Sequence, residues 1–209
     1  ASSVRRLNAK TEDDTIIEND SMGYHQLANC SSEEPAVSLH IYKPPYMSCP
    51  YVKQGKSGVE SASEVPCVYH PEPQEHTEQN LASTILVNRS YGSLSDLIEL
   101  LRSEIQFSED GKTHPECNIE HVKTILSNFH LNPQEWLPYL HRSKQKYTRN
   151  VIAYENKFTM ILLVWDKNQY SPIHDHASSN CFVKVLTGLL QEVRYSAAGY
   201  DLSLPSSAS

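Results

Sequence analysis

Residues 171–186 read SPIHDHASSNCFVKVL. His174 and His176 stand two apart, Cys181 follows, and an apolar run begins at that cysteine. In an extended strand, residues i and i+2 project from one face. The two imidazoles would then reach a single metal ion, and Asp175 would point the other way. A bare His-x-His also occurs as a solvated or core-satisfied pair, so the rest of the chain has to decide between the two. Immediately downstream, NCFVKVL, the pair Thr187-Gly188 and LLQEVRYS together predict a β-hairpin. The combination suggests a metal site at the mouth of a β-barrel.

Working outward, VIAYENKFTMILLVW (151–165) predicts two strands joined by a polar turn at Glu155–Lys157. DTIIE and PAVSLHIY predict strands near the start, and CVYHP carries a weaker strand pattern. Residues 53–64 and 71–80 are polar, with Gly, Ser, Pro and Glu, and predict loops or linkers. Segment 81–150 reads as helical. In SLSDLIELLRSEI, Leu94, Leu97, Ile98, Leu101 and Ile105 recur at helical spacing behind the candidate N-cap Ser93. NIEHVKTILSNF repeats the pattern with Ile119, Val122, Ile125, Leu126 and Phe129 behind Asn118. Asn132-Pro133 opens a third, short piece that Pro138 should end or kink. Many short strands with turn signals predict a sandwich or barrel. No internal repeat is visible.

The chain has 209 residues, enough to bury a core as one domain without disulfide staples. A net charge of −7 argues against a nucleic-acid partner. No apolar run approaches the roughly 20 residues of a membrane helix, so no membrane association is expected. Five cysteines, at 30, 49, 67, 117 and 181, are an odd number with no Cys-x-x-Cys pair. With no apolar leader in ASSVRRLNAK, they predict reduced thiols and a cytoplasmic location.

Two more clusters carry chemistry. In PAVSLHIYKPP, Ser38, His40 and Tyr42 alternate with Val37, Leu39 and Ile41. On a strand the three polar side chains form one row able to relay protons; an ordinary exposed face is the plainer reading. In KYTRN, Tyr147 and Arg149 lie where the helices give way to strands. A guanidinium there could clamp a carboxylate through two parallel hydrogen bonds, or make a surface salt bridge. His25, following Gly23 in SMGYHQLAN, is unremarkable alone.

Taken together, KYTRN, FTMILLVW, IHDHASSNCFVKVLTGLLQE, SMGYHQLAN and EPAVSLHIYKPPYMSC resemble the cysteine dioxygenase family of cupin-fold, non-haem iron enzymes. SLSDLIELL and NPQEW fit the family's helical part. The resemblance implies a mainly β, jelly-roll-like cupin barrel with a small helical segment packed on it. It implies one domain over 1–209, with strands from 1–70 and 151–209, a helical part at 81–146, and 71–80 as a linker.

The order of segments departs from the family. There, helices come first, then KYTRN and HDH, with GYH and SLHIY last; here those two come first. The chain therefore resembles a circular permutation, with 71–80 joining the family's C- and N-terminal ends. Such a cut is tolerable at an exposed loop when the native ends lie close together. A smaller departure is Asn168, where the family's first cupin motif usually has Gly six residues before the first histidine.

Carried over residue by residue, the resemblance implies Fe(II) ligation by His174, His176 and His25. It implies a Cys181–Tyr42 thioether crosslink, a carboxylate-binding Arg149 assisted by Tyr147, and a relay of Ser38, His40 and Tyr42. Trp165 and Cys49 match family residues near the pocket. Three neutral imidazoles leave the metal its full double charge, which favours a substrate thiolate. The implied reaction takes L-cysteine and O2 to the sulfinate, one rung of thiol oxidation. Related thiol dioxygenases that favour 3-mercaptopropionate typically lack both the arginine and the crosslinking cysteine; both are present here. A monomer is expected. Another cupin metalloprotein and a non-catalytic, small-molecule-binding barrel are the rival readings. His70, His76, His114, His121, His130 and His141 carry no expected role.

Overall fold

The structure, a computed structural model, describes residues 2–9, 15–18, 23–45, 50–55, 58–64, 91–105, 118–176 and 179–195. The strands are β1 (Ser2–Asn8), β2 (Thr15–Glu18), β3 (Tyr24–Ala28), β4 (Ala36–Lys43), β5 (Pro50–Gly55), β6 (Gly58–Glu64), β7 (Thr148–Tyr154), β8 (Thr159–Trp165), β9 (Ile173–His174), β10 (Asn180–Thr187) and β11 (Leu189–Tyr195). Between β6 and β7 lie α1 (Leu94–Glu104), α2 (Ile119–Asn128), α3 (Pro133–Trp136) and a 3-10 turn at Leu137–Tyr139. Two antiparallel sheets face each other, in the orders β1-β11-β3-β9-β5-β6 and β2-β10-β4-β8-β7. This is the expected cupin architecture, a jelly-roll-like sandwich with helices on one side.

The helices start where their caps predict. Ser93 Oγ accepts from Asp96 N–H at 3.0 Å, and Asp96 Oδ2 accepts from Ser93 N–H at 2.9 Å, a reciprocal capping box. Asn118 Oδ1 accepts from His121 N–H at 3.0 Å, and Asn132 Oδ1 from Gln134 N–H at 3.1 Å. Pro138 falls where α3 tightens into the 3-10 turn.

Strand β4 positions the interior because both its faces are buried. Val37, Leu39 and Ile41 join Met160, Leu162 and Val164 of β8 against Leu97, Leu101, Val122, Leu126 and Trp136 of the helices. The opposite face, with Ser38, His40 and Tyr42, looks into the sandwich beside Ile161, Leu163, Val183 and Leu27. The exposed-face reading of this row is therefore overturned: Ser38 is 0% and His40 3% exposed. The helices cover the apolar row, which leaves the polar row facing inward.

Three expectations are corrected. β10 and β11 form no hairpin; β10 pairs with β2 and β4, whereas β11 pairs with β1 and β3 in the other sheet. Gly188, at φ +79°, turns the chain from one sheet to the other. A Cβ there would lie 2.6 Å from the Pro35 carbonyl oxygen, so no side chain fits. Of the expected loop at 53–64, residues 53–55 and 58–64 are strand, since β5 and β6 pair as an antiparallel ribbon at the edge of their sheet. β9 ends at His174, so His176 lies just beyond the strand rather than on it. CVYHP, the 71–80 linker and Cys49 lie outside the described residues. Asn168 takes φ +58°, the left-handed conformation that Asn tolerates better than other side-chain-bearing residues.

Candidate metal centre

His25 on β3 and His174 on β9 are direct cross-strand partners, brought together from opposite parts of the chain. His176 joins them, its ring centroid 4.6 Å from that of His25 and 5.5 Å from that of His174. One ligating atom from each of the three histidines lies within 4.8 Å of the others, and all three are buried.

The outward nitrogens fix the tautomers. His174 Nδ1 lies 2.9 Å from the Pro172 carbonyl oxygen, which can only accept, so Nδ1 carries the proton. His25 Nδ1 lies 3.1 Å from Glu192 Oε1. Both Nε2 lone pairs therefore turn inward and face one another at 3.3 Å. Facing lone pairs repel unless a cation lies between them. Metal–imidazole bonds of about 2.0–2.1 Å place neighbouring ligand nitrogens about 3 Å apart, so the donor set fits a metal ion. Burial, first, and then the close approach of His25 hold His174 and His176 well below the usual histidine range, in the neutral form a metal requires.

A carboxylate pair missed by sequence reasoning lies behind His25. Glu18 of β2 and Glu192 of β11 are buried, with Glu18 Oε2 3.9 Å from His25 Nδ1. Arg194 ion-pairs with both, through Nη2 to Glu18 and through Nε to Glu192 Oε1 at 3.2 Å. Burial, then Glu192, pushes Glu18 up to about 8 against the pull of Arg194. Burial also pushes Glu192 up, but His25, Glu18 and Arg194 outweigh it and hold Glu192 down at about 2. The pair therefore holds one proton and one negative charge between its two carboxyls. In the sequence each lies in a strand pattern, DTIIE or LLQEVRYS, and no local pattern separates a half-exposed polar face from a buried pair.

The Ser38 row is a connected chain. Trp165 Nε1 donates to Ser38 Oγ at 2.9 Å, Ser38 Oγ lies 2.9 Å from His40 Nε2, and His40 Nδ1 lies 3.3 Å from the Tyr42 hydroxyl. Burial, then the charge of Arg149, keeps His40 well below the usual histidine range. The Tyr42 ring is 6.3 Å from that of His176, which joins the row to the histidine cluster. Cys181 Sγ is 3.8 Å from His40 Nδ1. Arg149, on β7, is buried with Cζ 5.7 Å from the Tyr42 ring centroid. Tyr147 stacks on Trp165 at 4.6 Å with 15° between planes. Among the described residues, every site residue expected from the sequence is thus interior, and the Ser38 row, the arginine and the histidines are linked through Tyr42.

A double-layered antiparallel sandwich with three convergent imidazoles defines a metal-binding cupin. The sequence model for cysteine dioxygenase type I matches residues 3–54 and 90–205, and the chain belongs to that family. It is 38% identical to cysteine dioxygenase type 1 of Rattus norvegicus over 104 residues, covering 49% of this chain and 48% of that protein. Over the same length and shares of each chain it is 36% identical to the Homo sapiens protein of that name and 34% to that of Danio rerio. The chain spans about half the length of the curated relatives it matches. No solved structure is a significant match. Among the described residues, no helix is long and apolar enough to cross a membrane.

Proposed function

We propose that the chain is a non-haem iron thiol dioxygenase that takes L-cysteine and O2 to cysteine sulfinate. The observation that carries this reading is the inward convergence of His25 and His174 Nε2 at 3.3 Å, with His176 beside them. His25, His174 and His176 would hold Fe(II). When bound, the iron supplies the Lewis-acid and redox chemistry that unites a thiolate with O2.

The chain's own residues supply selectivity and order. Arg149 binds the substrate carboxylate; a buried guanidinium deprived of its partner is unfavourable by about 3–5 kcal/mol, so thiols lacking a carboxylate are disfavoured. Tyr147, stacked on Trp165, assists it. Trp165 can only donate, so its bond occupies one lone pair of Ser38 Oγ and leaves the hydroxyl proton for His40 Nε2. His40 then donates from Nδ1 to Tyr42, and the phenolic proton is directed toward the substrate. A thioether between Cys181 and Tyr42 would hold that phenol in place. Both oxygen atoms of O2 end on the substrate sulfur, and no external reductant is consumed.

The same proposal includes a monomeric, cytoplasmic enzyme without nucleic-acid or membrane partners, folded as one domain over 1–209. It also includes the permuted order, with 71–80 as the join. Ser2 and Tyr195 are register partners on β1 and β11, the placement a family-order hairpin would give them, and this supports the permutation. The test is metal analysis of the purified protein, with oxygen uptake and sulfinate formation measured on L-cysteine. Metal bound without oxygen uptake would leave a non-catalytic cupin; zinc or manganese with no sulfinate would leave a different metalloenzyme.

A further inference from the structure

The supports behind the two paired ligands differ. His174 leans on a neutral carbonyl, that of Pro172, at 2.9 Å. His25 leans on a carboxylate, Glu192 Oε1, at 3.1 Å. That oxygen also accepts from Arg194 Nε at 3.2 Å, while Arg194 Nη2 grips Glu18. The assembly spans three strands in two sheets: Glu18 on β2, His25 on β3, and Glu192 with Arg194 on β11. Arg194 is the register partner of His25, so the brace and the ligand share one rung of the ladder. Glu192 is 0% and Glu18 2% exposed, with Arg194 reaching them from the rim. Sites of this burial do not keep carboxylates unless the carboxylates are paired and hydrogen-bonded.

We propose that Glu192, held by Arg194, is the positioning residue of the centre. It fixes the Nδ1–H tautomer of His25, aims Nε2 inward, and makes His25 a more electron-rich ligand than His174. A carboxylate behind a ligating imidazole raises its basicity, and loss of such a partner weakens metal affinity about 10–100-fold. The ligand set is therefore not three equivalent neutral imidazoles. Part of a negative charge reaches the metal through His25, a graded form of the carboxylate that a two-histidine, one-carboxylate site supplies directly.

This inference rests on the metal-centre reading, and the experiment separates the two. Co(II) serves as the probe, its affinity measured by chelator competition and its ligand field by visible absorption, on folded wild type, Glu192→Gln, Glu192→Ala, Arg194→Ala and His25→Ala. Glu192→Ala is expected to bind about 100-fold more weakly, and the isosteric Glu192→Gln about tenfold more weakly with a shifted absorption band. Nitrogen NMR of the metal-free protein should show His25 as the Nδ1–H tautomer in wild type and as a tautomer mixture in Glu192→Ala. If Glu192→Gln binds Co(II) with wild-type affinity and spectrum, the charge has no role and the inference fails. Should both Glu192 variants fail to fold, the rim variant Arg194→Ala decides, with several-fold weaker binding expected and unchanged binding overturning the proposal. Failure of the metal-centre reading looks different: wild type and His25→Ala would bind Co(II) equally.

Discussion

Cys181 and Tyr42 are register partners across the antiparallel β10–β4 pair, one directly opposite the other on the inward face. Opposed residues have Cβ atoms about 4.5–5.5 Å apart, so a bond from sulfur to the phenol ring requires only side-chain rotation. Turnover with iron, O2 and cysteine should remove about two hydrogens from the intact mass. Cys181→Ser should lose none. An unchanged wild-type mass after many turnovers would refute the crosslink.

Arg149 lies over Tyr42 in a buried setting, facing the phenol rather than solvent. Arg149→Ala should raise KM for cysteine and lower kcat/KM by about 10²–10³-fold, with a much smaller effect on cysteamine, which has no carboxylate. Equal losses on both thiols, in steady-state oxygen-uptake assays, would remove the arginine from the role of clamp.

His25→Ala should abolish iron retention after gel filtration, because it removes one of two nitrogens that face each other at 3.3 Å. Stoichiometric iron in that variant would mean that His174 and His176 bind with some other third group.

The metal-free protein should be most stable near pH 7. Burial, joined by neighbouring charges, holds His40, His174 and His176 below their ordinary value of 6.5. Below that pH the unfolded chain takes up to three protons that these folded residues refuse. Glu18, pushed up to about 8 from 4.5, works in the opposite sense and holds a proton that the unfolded chain has released. The folded state is thus short by about two protons near pH 5 and about one near pH 6, and stability falls on acidification by roughly 2–3 kcal/mol per unit toward pH 5. From pH 7 to 8 the Glu18 proton outweighs what the unfolded histidines still hold, and stability declines by about 0.5 kcal/mol per unit. Urea unfolding of chelator-treated protein at pH 5 to 8 measures this. A flat profile would contradict the neutral-histidine assignment.

Gly188→Ala should destabilise by more than about 2 kcal/mol, as the new methyl must meet the backbone of Pro35 and Ala36 at a positive φ. The denaturation midpoint is the readout.

What the sequence made legible follows from the range of the interactions involved. The starts of α1 and α2 were readable because their caps are local, Ser93 with Asp96 and Asn118 with the His121 amide. The Ser38–His40–Tyr42 row was readable as a row, but its inward direction depends on helices that cover the other face of β4. Gly188 was misread because a positive-φ glycine between two strand patterns looks the same whether the chain doubles back or crosses to another sheet. The polar strands β5 and β6 read as loop in the sequence because a sheet edge need not alternate cleanly. The histidine ligands and the arginine emerged through resemblance to a family. Glu18 and Glu192 were not seen, since their significance arises only when β2, β3 and β11 meet.

The pairing of β3 with β9 has a consequence for biosynthesis. His25 and His174 are separated by 149 positions. At ordinary translation speeds of about 5–20 residues per second, a ribosome needs about 7–30 s to supply the second imidazole after the first. Throughout that interval the nascent polypeptide displays only one of the three clustered histidines, His25, and no pocket. Metal loading at this cluster would consequently be a late event, coupled to closure of the sandwich rather than to emergence of the early strands.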